Sequence, residues 1–141
     1  MIFTGIFYYI LDSKNRLFIP SRFRKNIKVF FIAPGIDNCI YLYSPQHWNQ
    51  ILSKFDNLNL KNKYQERAFK RAFLGNTTEV KIDKFGRIII PTPLKIHAGM
   101  KKEVVIVGVF NRIEIWSKQN WDKYYDYAKN VVEKLSDDLE I

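Results

Sequence analysis

Two short stretches carry the residue types that could do chemistry, and they spell the same pattern. Asp12-Ser13-Lys14-Asn15-Arg16 runs into Leu17-Phe18-Ile19-Pro20, and Asp83-Lys84-Phe85-Gly86-Arg87 runs into Ile88-Ile89-Ile90-Pro91. The copies stand 71 positions apart in a chain of 141 residues. An aspartate four residues before an arginine in a tight turn can accept the turn's backbone N–H groups, or it can orient the guanidinium. An oriented guanidinium is a planar fork of donors matched to a phosphate or to the O6/N7 edge of guanine. The plainer alternative is an internal ion pair that only pins each turn.

Charge weighs toward the DNA reading. The net charge is +9. Residues 1–71 hold 12 basic and 4 acidic side chains, and residues 72–141 hold 11 and 10. Such an imbalance suggests a polyanionic partner, most simply nucleic acid, with a solvated lysine-rich face as the plainer alternative. Lysine outnumbers arginine 16 to 7, so each arginine carries more information, and Arg16, Arg22 and Arg24 fall within nine positions. A β-hairpin tipped by such a turn fits a major groove. Arg22, Arg24, Lys25 and Lys28 would then hold phosphates while Arg16 and Lys14 read bases. Arg87 has Lys84 before it and, within ten residues after it, only Lys95. The first turn is therefore expected to read, and the second mainly to support.

Other chemistries find little here. His47 falls early in an expected helix and His97 in a loop, with no partner at nucleophile or metal-ligand spacing. No Cys-x-x-Cys, His-Glu-x-x-His, phosphate-binding glycine loop or Gly-x-Ser-x-Gly occurs. Asp12 and Asp83 could imitate an acid/base dyad, but the arginine after each favours the charged form. No enzyme activity, cofactor, metal or small-molecule substrate is expected. Single-strand binding by stacking on tyrosine or phenylalanine is a rival, since 16% of residues are aromatic. Most of those rings, however, sit at positions expected in the core. No run of 18 apolar residues suits a membrane span. The N-terminus lacks signal-peptide features. Cys39, the one cysteine, reads as a small core side chain, and the expected location is cytoplasmic.

The elements that must position the turns repeat as well. A strand over residues 3–11, rich in Phe, Tyr and Ile, is expected to be buried on both faces and to lead into Asp12–Asn15. Leu17–Ile19 returns as a short strand that Pro20 ends. Strands Val29–Ala33 and Cys39–Tyr43 follow. Ser44 and Pro45 then open a helix with Trp48, Ile51, Leu52 and Phe55 on one face. A second helix, about Lys61–Leu74, stops at Gly75. The order recurs in Thr77–Ile82, Ile88–Ile90, a turn opened by Thr92-Pro93, and the hairpin Glu103–Val109 with Arg112–Trp116. A last helix is capped by Ser117, and the acidic tail over 136–141 should fray. With 47% hydrophobic residues, this is one domain of two homologous halves, about 1–71 and 72–130.

The paired Asp-x-x-x-Arg motifs, their Ile-Pro endings and the stretch Val107–Trp116 together resemble the MraZ family over roughly residues 1–130. That resemblance implies an α+β, β-rich, pseudo-twofold AbrB-like barrel of the swapped-hairpin or double-split kind, with flanking helices. It implies a nucleoid-associated, sequence-specific transcriptional regulator, with Arg16 and Arg87 as the motif arginines. It also implies self-association into a ring-like homo-oligomer on direct repeats in the promoter of a division and cell-wall operon. Asn15 stands where the family pattern has glycine, as Gly86 does in the second copy; asparagine best tolerates a positive φ among other residues, so the turn should survive. The alternatives are an antitoxin-like protein whose main partner is a toxin, and a ring-forming scaffold with no nucleic-acid role.

Overall fold

The first strand of each half pairs with the other half, and this exchange organises the molecule. A computed structural model describes the whole chain, Met1–Ile141. In the first half, β1 (Phe3–Ile10), β2 (Arg16–Phe18), β3 (Val29–Pro34) and β4 (Ile40–Tyr43) are followed by helices α1 (Pro45–Asp56) and α2 (Lys63–Leu74). The second half holds β5 (Thr78–Lys81), β6 (Arg87–Ile89), helix α3 (Thr92–His97), β7 (Glu103–Phe110), β8 (Ile113–Ser117) and helix α4 (Lys118–Leu139). Six strands form one antiparallel sheet in the order β1-β7-β8-β4-β3-β5. Read from either end, that order is the same once the halves are exchanged.

The two short strands pair only with each other. In the β2–β6 ribbon Leu17 faces Ile88, with Arg16 opposite Ile89 and Phe18 opposite Arg87. Each register pair maps onto another by the 71-residue repeat, so the pseudo-twofold axis passes through Leu17 and Ile88. The expected return of Leu17–Ile19 against the first strand is therefore corrected. β1 pairs with β7, and the Asp12–Arg16 turn links the large sheet to the ribbon rather than tipping a hairpin.

Between sheet and ribbon lies the barrel core, which includes Phe3, Leu17, Ile19, Phe30, Ile32, Ile40, Leu42, Ile88, Ile90, Ile106 and Ile113. A second apolar layer, with Ala33, Cys39, Tyr41, Tyr43, Trp48, Val107, Trp116 and Trp121, fills the other face of the sheet beneath the long helices. Strands β4 and β8 are therefore buried on both faces. β1 is not, contrary to expectation: Tyr8 is 60% and Ile10 70% exposed. It is an edge strand, and α1, α2 and α4 pack mainly over β3, β4, β7 and β8, touching β1 at its start, where His47 of α1 meets Phe3 edge-on at 5.8 Å between ring centroids. Burial pushes the Cys39 thiol far up from its ordinary pKa, so it is held as a neutral core group.

Local signals place the helices well. Ser44 Oγ accepts from His47 N–H at 3.3 Å with Pro45 in the first turn, and Ser117 Oγ accepts from Asn120 N–H at 3.1 Å. α2 starts two residues later than expected, because Asn62 Oδ1 caps Gln65 N–H at 3.0 Å. Gly75 keeps right-handed φ, and the helix end is closed instead by Thr77 Oγ1 donating to the Phe73 carbonyl at 2.7 Å. Thr92-Pro93 opens a short helix where a turn was expected, and α4 continues through the acidic tail to Leu139.

Candidate nucleic-acid interface

Each aspartate performs both of the tasks its spacing allowed. In the first turn Asp12 Oδ1 accepts the N–H groups of Lys14 at 2.9 Å and Arg16 at 2.8 Å, while Oδ2 accepts Arg16 Nε–H at 2.6 Å. In the second, Asp83 Oδ1 accepts from Phe85 N–H and Arg87 N–H at 2.9 Å, and Oδ2 from Arg87 Nε–H at 2.8 Å. Backbone bonds between Asp12 and Arg16 (3.1 Å) and between Asp83 and Arg87 (2.8 Å) close the turns. Asn15 adopts φ 60° and Gly86 φ 84°, so the asparagine holds the left-handed position the turn demands.

This geometry leaves the terminal end of each arginine open. Both guanidinium groups are held through Nε alone, and the protein offers no acceptor to their terminal Nη groups. The side chains are 32% exposed for Arg16 and 27% for Arg87. The carboxyls of Asp12 and Asp83 are held below the usual carboxylate range. The largest cause is the backbone N–H of the arginine, and the guanidinium and the second turn N–H act in the same direction. Each turn is thus an ionised carboxylate presenting a fixed cation.

The surrounding cations are arranged otherwise than their sequence positions suggested. Arg24 crosses the dyad: its guanidinium lies against Gly86 of the second turn, its Nε donates to the Ile19 carbonyl at 2.6 Å, and it stacks on Phe18 with Cζ 4.9 Å from the ring centroid. Lys28 lines a shallow groove with Arg24, Lys81 and Asp83, also beside the second turn. The first turn receives Lys95 instead, whose Nζ donates to Asn15 Oδ1 at 2.9 Å. Arg24 and Lys95 are themselves 71 positions apart, so the crossing is reciprocal. Arg22 is engaged by β1, donating from Nη2 to the Thr4 carbonyl at 2.6 Å with its Cζ 4.9 Å from the Phe7 ring centroid. Lys14 and Lys84 stay at the turns, Lys84 with its Nζ 5.1 Å from the Phe85 ring centroid. Reading the charges along the chain missed Lys81 and put Lys95 with the second turn, whereas it serves the first; the repeat period alone would have pointed to Lys95 as the counterpart of Arg24.

The remaining polar candidates are used in packing. His47 Nδ1 is hydrogen-bonded to Ser44 Oγ at 3.1 Å in a buried cap, and His97 Nε2–H donates to the Gly35 carbonyl at 2.8 Å. Within Val107–Trp116, Glu114 accepts from Arg112 Nε and Nη2 at 3.0 and 2.8 Å and from Trp116 Nε1 at 3.1 Å. Many aromatics stack on one another, as in the row Phe31, Trp48, Phe73 and Phe69. No helix is long and apolar enough to cross a membrane.

The model of a family described as "MraZ protein, putative antitoxin-like" matches the chain twice, over residues 2–72 and 73–139. The chain belongs to the MraZ family. A protein of Natranaerobius thermophilus is 41% identical over 139 residues, covering 98% of this chain and 96% of its own. Others from Desulforamulus reducens (39% identical, 98% and 97% covered) and Clostridium tetani (40%, 96% and 98%) match over almost the same span. All three are named transcriptional regulator MraZ. The two family matches meet at residues 72 and 73, in the last turn of α2, just before β5 starts the repeated strand order. The MraZ resemblance read from the paired motifs is thereby established for the whole chain, and with it the interlocked α+β barrel.

Proposed function

We propose that this protein is a transcriptional regulator that binds double-stranded DNA in a sequence-specific way. In this reading it acts as a ring-like homo-oligomer on direct repeats in the promoter of its division and cell-wall operon, in the cytoplasm and associated with the nucleoid. The observation that carries the reading is the duplicated clamp, in which Asp12 and Asp83 hold Arg16 and Arg87 by Nε and leave their Nη groups without a protein acceptor. A guanidinium so held is ready to make the bidentate contact with guanine that is the commonest specific protein–DNA contact. Lys14, Lys28, Lys81, Lys84, Arg24 and Lys95 lie about the turns and supply the positive field that phosphates need. The names of the relatives agree with this reading.

Selection of bound sequences from random duplex DNA, at a stated salt concentration, tests it. Enrichment of a short repeated element supports the proposal. Retention without enrichment would leave a nonspecific binder, and no salt-dependent binding at all would favour the scaffold. The family's antitoxin-like description keeps a toxin-binding role as the second reading. Against it stand the two motif copies in one chain and a C-terminal segment that is helical to Leu139.

A further inference from the structure

Phe85 occupies the third position of the second turn, where the repeat puts Lys14 in the first. Their backbone N–H groups make the same 2.9 Å bond to the turn aspartate, so the turn itself does not require an aromatic there. The ring belongs to neither apolar core cluster and is 61% exposed. It is nonetheless held in place. Arg87 Cζ lies 5.0 Å and Lys84 Nζ 5.1 Å from its centroid. Cations over a ring face are attracted by its quadrupole, so ring and guanidinium orient one another.

The second turn therefore presents an apolar surface directly beside a free guanidinium fork, and the first presents an ammonium there. In the major groove guanine offers the O6/N7 acceptor pair, and thymine is the only base with an apolar group, its 5-methyl. We propose that Phe85 is a specificity-determining residue that packs on the 5-methyl of a thymine next to the base read by Arg87. The first turn, with Lys14 at the matching position, then reads a different step. One chain thus recognises an asymmetric element, which gives the bound DNA a direction. This rests on the DNA-binding function proposed above.

Substituting deoxyuridine for single thymines in the selected duplex removes the methyl and leaves the pairing unchanged, so it isolates this contact. The intact protein should lose about fourfold in affinity at one such position, the worth of one buried methyl group. Phe85→Ala should bind the thymine duplex more weakly by a similar factor and no longer distinguish it from the deoxyuridine duplex. Phe85→Lys, which installs the residue already tolerated in the sister turn, should likewise bind the thymine and deoxyuridine duplexes equally while melting like the parent, its added charge raising affinity for both alike. Lys14→Ala should keep the thymine preference. The proposal is overturned if no deoxyuridine swap affects the intact protein, if Phe85→Ala keeps the full preference, or if Phe85→Ala changes only the oligomer size in light scattering. A parent that binds no duplex at all overturns the broader function as well, whereas strong binding with an unmoved thymine preference overturns this inference alone.

Discussion

Arg24 and Gly86 lie 62 positions apart in sequence, yet the guanidinium of one rests on the Cα of the other. A β-carbon at position 86 would collide with Arg24 Cζ, and the local φ of 84° is one that side chains resist. Two independent costs therefore fall on any substitution there. Gly86→Ala should lower stability by roughly 1–3 kcal/mol, the usual penalty for a strained left-handed residue. Asn15→Gly, at the matching place in the first turn, should cost less, because glycine accepts the φ and only the Lys95 bond is lost. Denaturant melts of the two variants check the contrast. Equal losses would mean that neither the φ at Gly86 nor the Arg24 contact penalises a side chain there.

Acid should loosen both turns together. The folded-state pKa of Asp12 and of Asp83 lies below the ordinary carboxylate value, chiefly because the arginine N–H binds the ionised form. For a depressed acid, the stabilisation is complete above the unfolded value of about 3.9 and is lost as pH falls through the folded value. The melting temperature should therefore hold steady from neutrality down to about pH 5 and then decline. In the double variant Asp12→Asn with Asp83→Asn the plateau should sit lower and the acid decline should be shallower. A decline of unchanged steepness in that variant would assign the acid sensitivity to other carboxylates.

The turns, strands and helix caps were legible because each is written locally. Asp12 and Asp83 reach only four residues, and Ser44 and Ser117 cap within three. Pairing was not legible, since a run such as Leu17–Ile19 carries no mark of its partner, and nothing nearby says that Ile88 lies 71 residues away. The charge pattern misled for the same reason. Arg22 and Arg24 are two residues apart, but one bonds to β1 and the other crosses to the second turn. Exposure of β1 was hidden because strand composition reports an apolar environment without saying whether a helix will cover it.

Salt dependence should separate the arginines and lysines by what they touch. Each neutralised phosphate contributes about −0.9 to the slope of log K against log salt. Lys28→Ala removes a cation that has no carboxylate bound to it, and should flatten the slope by about one unit while weakening all sequences alike. Arg22→Ala should chiefly lower the melting temperature, because Arg22 already donates to Thr4 and lies over Phe7. Titrations at several salt concentrations, alongside thermal melts, distinguish the two. If Arg22→Ala flattens the slope as much as Lys28→Ala, then Arg22 leaves β1 when DNA binds.

The chain order of charges makes Arg16 the reader and Arg87 a support; the folded geometry makes them equals. Each makes the same three hydrogen bonds with its aspartate, two donated to the carboxylate and one backbone bond accepted by the arginine carbonyl, and their exposure differs little. Arg24 and Lys28, which argued for the first turn, stand beside the second. Arg16→Ala and Arg87→Ala should therefore each cost about 1–3 kcal/mol on the selected site and much less on a scrambled duplex. Arg24→Ala should resemble Arg87→Ala, since it removes the group that backs Gly86, and it should spare the bases read by Arg16. Matched titrations of the three variants, on the selected site and on duplexes altered one base pair at a time, locate each loss. If Arg24→Ala relaxes discrimination at the bases that Arg16→Ala affects, the crossed arrangement does not govern recognition, and sequence proximity is the better guide.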